Sequence, residues 1–515
     1  VARVRLTAGE APADDPRWRE VLLAIDVGTS GARAAAFDLD GRRRLEARVP
    51  YPTTVLHEGW AEQDPRRWRS AALASLGGIV RGLGRRRRIL AIGLTGQCPS
   101  ICLVDERGEP VRPGLIYRDN RATRDAAMLR ERFGEAAIHA RTGHLPAAFH
   151  VLPKLLWVRD HEPAAWARAR WALQPRDLVG LALTGEAATD GTHAAATIAY
   201  DLRAGDWDRA AIISLALADD LFPPVRPSWE TVGMLRPRLA ARLGLTSDVP
   251  VVLGGADSQA CALGSGVVAP GPVSEMAGSS TCLNAVVPEP LPELLVTHYP
   301  HVVPGGFTTE TGINTTGAAV GWLADLAYGG RLGRANTADY ERLDREVASV
   351  PPGADGVLAL PAYADGERTD PDLRAAFAGL SLRHGRAVMA LAILEGVAYL
   401  IRDQLGLLTA CGAPVDELRV SGGDTRIATW NRVKADVIGI PVRTVPGDAA
   451  VTGVAMLAGL GAGVYASVEE AVARCVRLDP PIEPNAANRA IYDEGYQAFR
   501  DLMTATVVRR PDREG

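Results

Sequence analysis

Asp26–Val27–Gly28–Thr29–Ser30–Gly31 and Glu275–Met276–Ala277–Gly278–Ser279–Ser280–Thr281 decide how the rest of the chain is read. Each runs a strand into a glycine turn bearing hydroxyls and out into a second strand. The first follows the apolar run Val21–Asp26 and resumes at Ala32–Asp38, with Asp40–Gly41 closing a hairpin. The second lies within Val273–Val287. One unit per half suggests a duplicated domain with ligand held between the copies. The repeat is short, so it needs support from elsewhere in the chain.

The 515 residues are too many for one hydrophobic core, and two domains or more are expected. A hydrophobic fraction of 47% with 23% charged residues is that of a soluble globular chain. A formal net charge of −4 leaves no nucleic-acid or membrane footprint. The basic run Arg85–Arg88 reads as a solvated helix end or loop. Cys98, Cys102, Cys261, Cys282, Cys411 and Cys475 are scattered without a CxxC pair, so neither zinc nor a disulfide framework is indicated. Residues 1–20 read as a loose polar extension without a signal peptide, and no stretch reaches membrane-span length. The expected compartment is the reduced cytoplasm.

The first glycine turn can cradle phosphate oxygens with its N–H groups, Thr29 and Ser30, and Arg33 lies just beyond. Asp26 immediately before it suggests a divalent metal, because a carboxylate beside phosphates commonly holds one through water, and the cost of burying an unpaired carboxylate favours the phosphate turn. A plain hairpin is the competing reading. Gly278–Ser279 is the second candidate phosphate turn. Leu418–Val420 leads into Ser421–Gly422–Gly423–Asp424, where two glycines let a flat adenine or ribose lie against backbone. An ordinary strand-to-helix loop reads equally well there.

Val249–Leu253 ends in Gly254–Gly255–Ala256–Asp257–Ser258, which brings a carboxylate to a strand terminus. Asp257 can there accept a proton from an alcohol, or simply cap a tight turn. Gly96–Gln97–Cys98–Pro99–Ser100 ends another strand, and Tyr117–Arg118–Asp119–Asn120–Arg121 follows a hairpin over Ile101–Val111. These supply amide, carboxylate and guanidinium groups suited to sugar hydroxyls, although Asp119 and Arg121 also read as a surface ion pair. Gly59–Trp68 opens a helix with Asp64 as N-cap and Pro65 first. Neither GxxxxGK[ST] nor a protein-kinase signature is present. Gly459–Gly463 follows a helical pattern and reads as a helix ending. His298 and His301 carry no metal-site pattern.

Helices are expected over Pro65–Val80, Thr316–Ala327, Arg386–Cys411 and Trp430–Ile438, with residues 120–245 mostly helical. The texture resets after Asp248. This divides the chain into 21–248, 249–483 and a C-terminal helix and tail, 484–515.

The chain resembles the FGGY carbohydrate kinases, and among them the xylulokinase type, from about Leu22 to Tyr465. The likeness rests on an ordered set of motifs: Asp26–Gly31, Gly59–Trp68, Gly96–Gln97, Asp119–Arg121, Pro153–Lys154–Leu155–Leu156–Trp157, Gly254–Asp257, Gly366–Glu367–Arg368–Thr369 and Gly422–Asp424. It implies an α/β fold of two ribonuclease-H-like domains, as in actin and hexokinase, with an inter-domain cleft that holds ATP and Mg²⁺. By position Asp257 matches the catalytic base, Asp26 the aspartate near Mg²⁺, and Thr29, Ser30 and Arg33 the first phosphate turn. Gly278 and Ser279 match the second turn, and Gly317, Gly422 and Gly423 the nucleotide contacts. Gln97, Cys98, Pro99, Asp119, Asp257 and Ser258 fall on the sugar side. Departures sit there too: Cys98–Pro99–Ser100 replaces Met-His-Gly, Tyr117 and Arg118 replace Trp and Asn, and Ser258 replaces Asn. The implied reaction phosphorylates a primary hydroxyl of a small sugar. D-xylulose comes first, with L-ribulose, erythritol or gluconate behind it. A homodimer is compatible with the likeness. A non-catalytic nucleotide-dependent sugar sensor is the reading from another class.

Overall fold

The computed structural model describes residues 4–8, 19–84, 87–325, 327, 337–363, 366–367, 370 and 372–506. Arg85 and Arg86 of the basic run and Arg368–Thr369 of the Gly366 motif lie outside the described residues. The chain forms two compact units. One comprises Val1–Val268, Pro288–Thr309 and Ala449–Val476; the other comprises Ala269–Val287, Glu310–Asp448 and Arg477–Gly515.

The first unit is built on strands β1 (Arg5–Ala8), β2 (Glu20–Val27), β3 (Gly31–Phe37), β4 (Arg43–Pro50), β5 (Arg88–Gly96), β6 (Thr231–Met234) and β7 (Pro250–Val252). They lie in the order β1-β4-β3-β2-β5-β7-β6. β2, β3 and β4 form an antiparallel meander, while β5 runs parallel to β2 and β7 parallel to β5. Residues 5–8, expected to be loose, instead add an antiparallel edge strand to β4. Leu6 is exposed like Arg5 and Thr7, so the segment shows no in–out alternation and gives little sign of a strand.

Helix α1 (Pro65–Leu83) is capped by Asp64, whose side chain accepts the Arg66 N–H at 3.0 Å, with Pro65 in its first turn. It packs on β3 and β4. Leu23, Ile25 and Val27 join Trp68, Leu76 and Ile79 in one buried cluster, while Leu22 and Ala24 join Val454 and Leu457 in another. Alternate residues of β2 thus feed two faces, and every position of the strand after Glu20 is buried. The domain also takes in the helices α2 (Val151–His161) and α3 (Pro175–Thr184), and α4 (Asp257–Gly264), which follows β7.

The second unit repeats the plan. Strands β8 (Gly271–Ala277), β9 (Thr281–Val287), β10 (Phe307–Ile313), β11 (Val415–Gly422) and β12 (Val442–Thr444) lie in the order β10-β9-β8-β11-β12. β8 and β9 are antiparallel; β11 and β12 run parallel to β8 in turn. Numbered along the chain, this is order 3-2-1-4-5, and β4-β3-β2-β5-β7 gives the same order. The ribonuclease-H-like α/β fold is therefore present twice. Helices α5 (Gly317–Ala324), α6 (Arg386–Ala410) and α7 (Ala428–Ile438) belong to this half. Under β8, Lys434 and Glu275 form a fully buried ion pair at 2.7 Å.

The first unit extends past residue 248, where the sequence reading draws a boundary. β7 completes the first sheet, α4 follows it, and helix α8 (Ala449–Gly461) returns to pack on β2 and β5. A boundary read from texture misses a segment whose partner is two hundred residues away. No helix among the described residues is long and apolar enough to cross a membrane. All six cysteines are free thiols.

α4 and α8 meet backbone to backbone. A Cβ on Gly453 would lie 1.9 Å from the Ala260 carbonyl oxygen, and one on Gly264 would lie 1.9 Å from that of Ala449. Gly453→Ala should therefore lower the thermal midpoint, at an overpacking cost of about 1–3 kcal/mol. Gly406→Ala, on an exposed face of α6 with nothing within 4 Å of the new methyl, should raise it slightly. Thermal melts of the two variants against the parent check the contrast; equal midpoints would refute the close packing.

Candidate active site

Three adjacent parallel strands of the first unit deliver the candidate residues to one sheet edge. β2 ends at Val27, and Gly28–Gly31 turns back into β3. β5 ends at Gly96, paired with Val27, and the Gln97 N–H donates to the Val27 carbonyl at 3.0 Å. β7 runs into Leu253–Ala256 and then Asp257. Carboxyl ends of parallel strands are where open α/β sheets bind ligands. Here they gather Asp26, Thr29, Ser30, Gln97, Cys98, Pro99, Asp257 and Ser258.

Asp257 is the first residue of α4, where the positive end of the helix favours a carboxylate. It is half-buried, and its Oδ1 accepts the Ser258 N–H at 2.9 Å. The backbone before it is held at nearly every polar atom. Gly254 has φ +71°, and a Cβ there would sit 1.7 Å from the Leu94 carbonyl, so only glycine fits. The Gly254 N–H donates to the Ser228 carbonyl at 2.7 Å, and Thr95 Oγ1 donates to the Gly255 carbonyl at 2.7 Å. The Ala256 N–H donates to Thr192 Oγ1 at 2.8 Å. Arg176, with no exposed surface, donates from Nη1 to the carbonyls of Leu253 and Gly254. Its Nη2 donates to Asp190 Oδ1 at 2.6 Å. Asp190 also accepts from Thr192 Oγ1, Ser228 Oγ and His193. Burial opposes ionisation of Asp190, yet Arg176 and His193 hold its carboxyl well below the usual range.

Asp26 is paired with Arg33, Nε to Oδ2 at 2.8 Å. Arg33 supplies a partner for this carboxylate, which removes the sequence argument against a plain hairpin, and the pair commits Arg33 to Asp26. Ser30 Oγ accepts from Arg48 Nη2 at 2.6 Å, and Gln63 Nε2 donates to the Thr29 carbonyl at 2.7 Å. Asp26 still suits one role of a metal ligand. A Cβ on Gly28 would lie 3.6 and 3.7 Å from its two oxygens, so the glycine leaves room beside the carboxylate. No group of three or more His, Cys, Asp or Glu among the described residues could hold a metal by itself. Mg²⁺ does not need one, because it keeps water and takes phosphate oxygens with one or two carboxylates.

Cys98 is half-buried and joined to Pro99 by a cis peptide bond. Burial, and after it the charges of Asp257 and Asp190, push its thiol well above the ordinary range. Asp119, expected to meet sugar hydroxyls, is fully buried instead. Its Oδ2 accepts from Arg121 Nη2 and from the Ala61 N–H, both at 2.7 Å, and its Oδ1 accepts from Arg121 Nε at 2.9 Å. Nor is this a surface pair: Arg121 also meets Glu62 at 2.9 Å and stacks over Trp60. Lys154 on α2 is buried and donates to the Ile116 carbonyl at 2.8 Å, which ties α2 to the same loop. Burial lowers its pKa to about 7 against the opposing pull of Asp119. Tyr117 and Arg118 are exposed.

The second unit gathers its own candidates. Ala277, last in β8, pairs with Gly422, last in β11. Gly422 has φ +99°, and a Cβ there would lie 2.0 Å from the Ala277 carbonyl. The next residues are Gly278 and Gly423, so the two glycine loops leave the same edge. The N–H of Gly317 donates to the Gly278 carbonyl at 3.1 Å, and those of Thr316 and Ala318 donate to the Ser279 carbonyl at 3.0 and 3.2 Å. The start of α5 thereby fixes the turn. Ser279 is exposed, and nothing lies within 4 Å of a Cβ built on Gly423. Sequence reasoning missed Gln63, Thr95, Arg176, Asp190 and Thr192. Only Gln63 had a signal, lying inside the Gly59–Trp68 stretch that was read for its helix cap.

The models of the N-terminal and C-terminal domains of the FGGY family of carbohydrate kinases match residues 21–264 and 274–462. A xylulose kinase of Staphylococcus epidermidis is 27% identical over 502 residues, 95% of this chain and 97% of its own. An autoinducer-2 kinase of Salmonella typhimurium is 28% identical over 500 residues, 93% of each chain. The crystal structure of xylulose kinase from Rhodospirillum rubrum superposes with a TM-score of 0.86 at 30% identity, covering 94% of this chain and 98% of that one.

The hydroxyl of Thr192 links the Ala256 N–H to Asp190, so removing it should loosen the seat of Asp257. Thr192→Val should lower kcat about tenfold or more, since small misplacements of reacting groups are expensive. Thr192→Ser keeps the hydroxyl and should restore most of the rate. Steady-state kinetics on the pair, with circular dichroism to confirm folding, check this; equal rates would refute the clamp.

Proposed function

We propose that this chain, which belongs to the FGGY family of carbohydrate kinases, transfers the γ-phosphoryl group of ATP to a primary hydroxyl of a small sugar, with D-xylulose as the first substrate. The observation that carries the reading is the meeting of Asp257 with the Gly28–Gly31 turn and the Gln97–Pro99 loop at the ends of three adjacent parallel strands. Asp257 accepts the proton as the hydroxyl oxygen bonds to the γ-phosphorus. The bond from that phosphorus to the bridging oxygen breaks, and ADP leaves. Thr29 and Ser30 offer backbone N–H groups to phosphate, while that of Gly28 closes the turn on the Gly31 carbonyl; the Gly278–Ser279 turn is a second candidate for phosphate, with the Gly278 N–H committed to Ser280. The open backbone at Gly423, next to Gly422 packed on Ala277, suits a flat adenosine.

Mg²⁺, when bound, neutralises phosphate charge, and Asp26 is the residue that would hold it through water. Arg33 keeps the Asp26 carboxylate compensated otherwise. The sugar side falls to Gln97, Cys98, Pro99 and Ser258. Asp119 passes from sugar ligand to positioning residue, because its oxygens are spent on Arg121 and Ala61. L-ribulose, erythritol and gluconate stand behind D-xylulose, and a relative named for a different kinase activity at similar identity keeps them in view. Arg118, whose positive charge would favour a sugar acid if it faced the pocket, is exposed. The sensor reading is weaker, since a sensor has no use for a carboxylate held as Asp257 is.

ADP release measured across a panel of ketoses, polyols and aldonates tests the reading. Stimulation by D-xylulose above the others supports it; no stimulation by any sugar refutes it. Asp257→Asn should cut kcat about a hundredfold or more while ATP binding, followed by calorimetry, stays close to that of the parent. Gly423→Val should raise the KM for ATP far more than that for sugar. An equal effect on both would remove this loop from the nucleotide site.

A further inference from the structure

Trp68, Gln63 and Gln97 are buried side chains of the first unit that form one hydrogen-bonded chain. The indole Nε1 of Trp68 donates to Gln63 Oε1 at 2.7 Å. Indole nitrogen is only ever a donor, so the orientation of the Gln63 amide is settled by chemistry. The Gln63 Nε2 then points the other way, donating to the Thr29 carbonyl and to Thr53 Oγ1, both at 2.7 Å. Gln97 meets the same Gln63 Oε1 at 2.9 Å, and an acceptor there demands a donor, so Gln97 presents Nε2. The polarity fixed at Trp68 is thereby carried two residues further. The end of the chain is Gln97 Oε1, which is buried and has no hydrogen-bond partner.

A buried acceptor left without a donor loses the hydration it had in water and gains nothing in return. Such a group in a folded protein calls for a ligand or an ordered water. Gln97 follows directly on β5, between the Val27–Gly28 corner and the Cys98–Pro99 turn, at the edge where Asp257 sits. We infer that the Gln97 amide is locked as a hydrogen-bond acceptor for one hydroxyl of the phosphoryl-accepting sugar, and that Gln63 and Trp68 are the positioning residues that lock it. The inference rests on the kinase reading and deepens it. It assigns a direction to the contact: the site selects a hydroxyl donor at that position and rejects a sugar that lacks one. The same Gln63 amide ties the Thr29 carbonyl of the phosphate turn, so the sugar acceptor and that turn share one brace.

A panel of mono-deoxy and mono-fluoro analogues of the best sugar tests this by kcat/KM. In the parent, one position should stand out, losing about ten- to a hundredfold when its hydroxyl is removed or replaced by fluorine, which cannot donate. In Gln97→Met the loss at that position should vanish while the losses at other positions remain. Gln63→Met should also blunt it, although Gln97 is intact. Gln63→Glu keeps an acceptor for Trp68 and Gln97, and should restore the discrimination. Thermal melts identify any variant that fails to fold, and Gln97→Leu then replaces Gln97→Met. Unchanged discrimination in a folded Gln97 variant overturns the inference alone. A parent protein that phosphorylates no sugar overturns the functional reading, and this inference with it.

Discussion

A guanidinium with no access to water holds the backbone that aims Asp257. Arg176 takes the carbonyls of Leu253 and Gly254 on one side and Asp190 on the other. Such an arrangement is poor evidence for added stability, since desolvation of both ions offsets much of their attraction. Its consequence is geometric. Glycines at 254 and 255 allow a close approach that a side chain would forbid, and they also leave the loop free to wander. The network around Asp190 removes that freedom, and the carboxylate at the head of α4 inherits a single position. The backbone contact of α4 with α8 fixes the other end of the same helix.

The polar groups of the first unit are divided between structure and chemistry by whether they have oxygens or protons to spare. Asp119 has none: Arg121 and the Ala61 N–H take both of its oxygens inside a cage completed by Glu62 and Trp60. Asp26 gives one oxygen to Arg33. Asp257 stands half-buried at a helix start, and Gln97 keeps a bare carbonyl oxygen. A kinase site needs both kinds, because a sugar carries hydroxyls that must be met by groups already held in place.

The second unit reaches a matching edge with fewer charges. The Gly278 turn is fixed by N–H groups from the start of α5, and Gly422 is pressed against Ala277. Two strand–turn–strand units of the same order thus present different edges, the first holding the Asp26–Arg33 ion pair and the second holding its glycine turns by backbone contacts.

Much of this was legible in the sequence because it lies in local pattern. The hairpins at Gly28 and Gly278, the helix capped by Asp64 and the strand ending before Asp257 follow from periodicity and turn residues. The position of every glycine loop at a strand end could be read in the same way. Tertiary structure decided the rest. Whether Asp26 was paired depended on Arg33 folding back across a hairpin, and whether Asp119 was wet depended on Ala61 and Glu62. The clamp joins Thr95, Arg176, Asp190, Ser228 and Gly255, residues separated by up to 160 positions, and no single stretch contains its pattern. A hydrogen bond is a fact about two groups within about 3 Å, and sequence gives the groups without the distance.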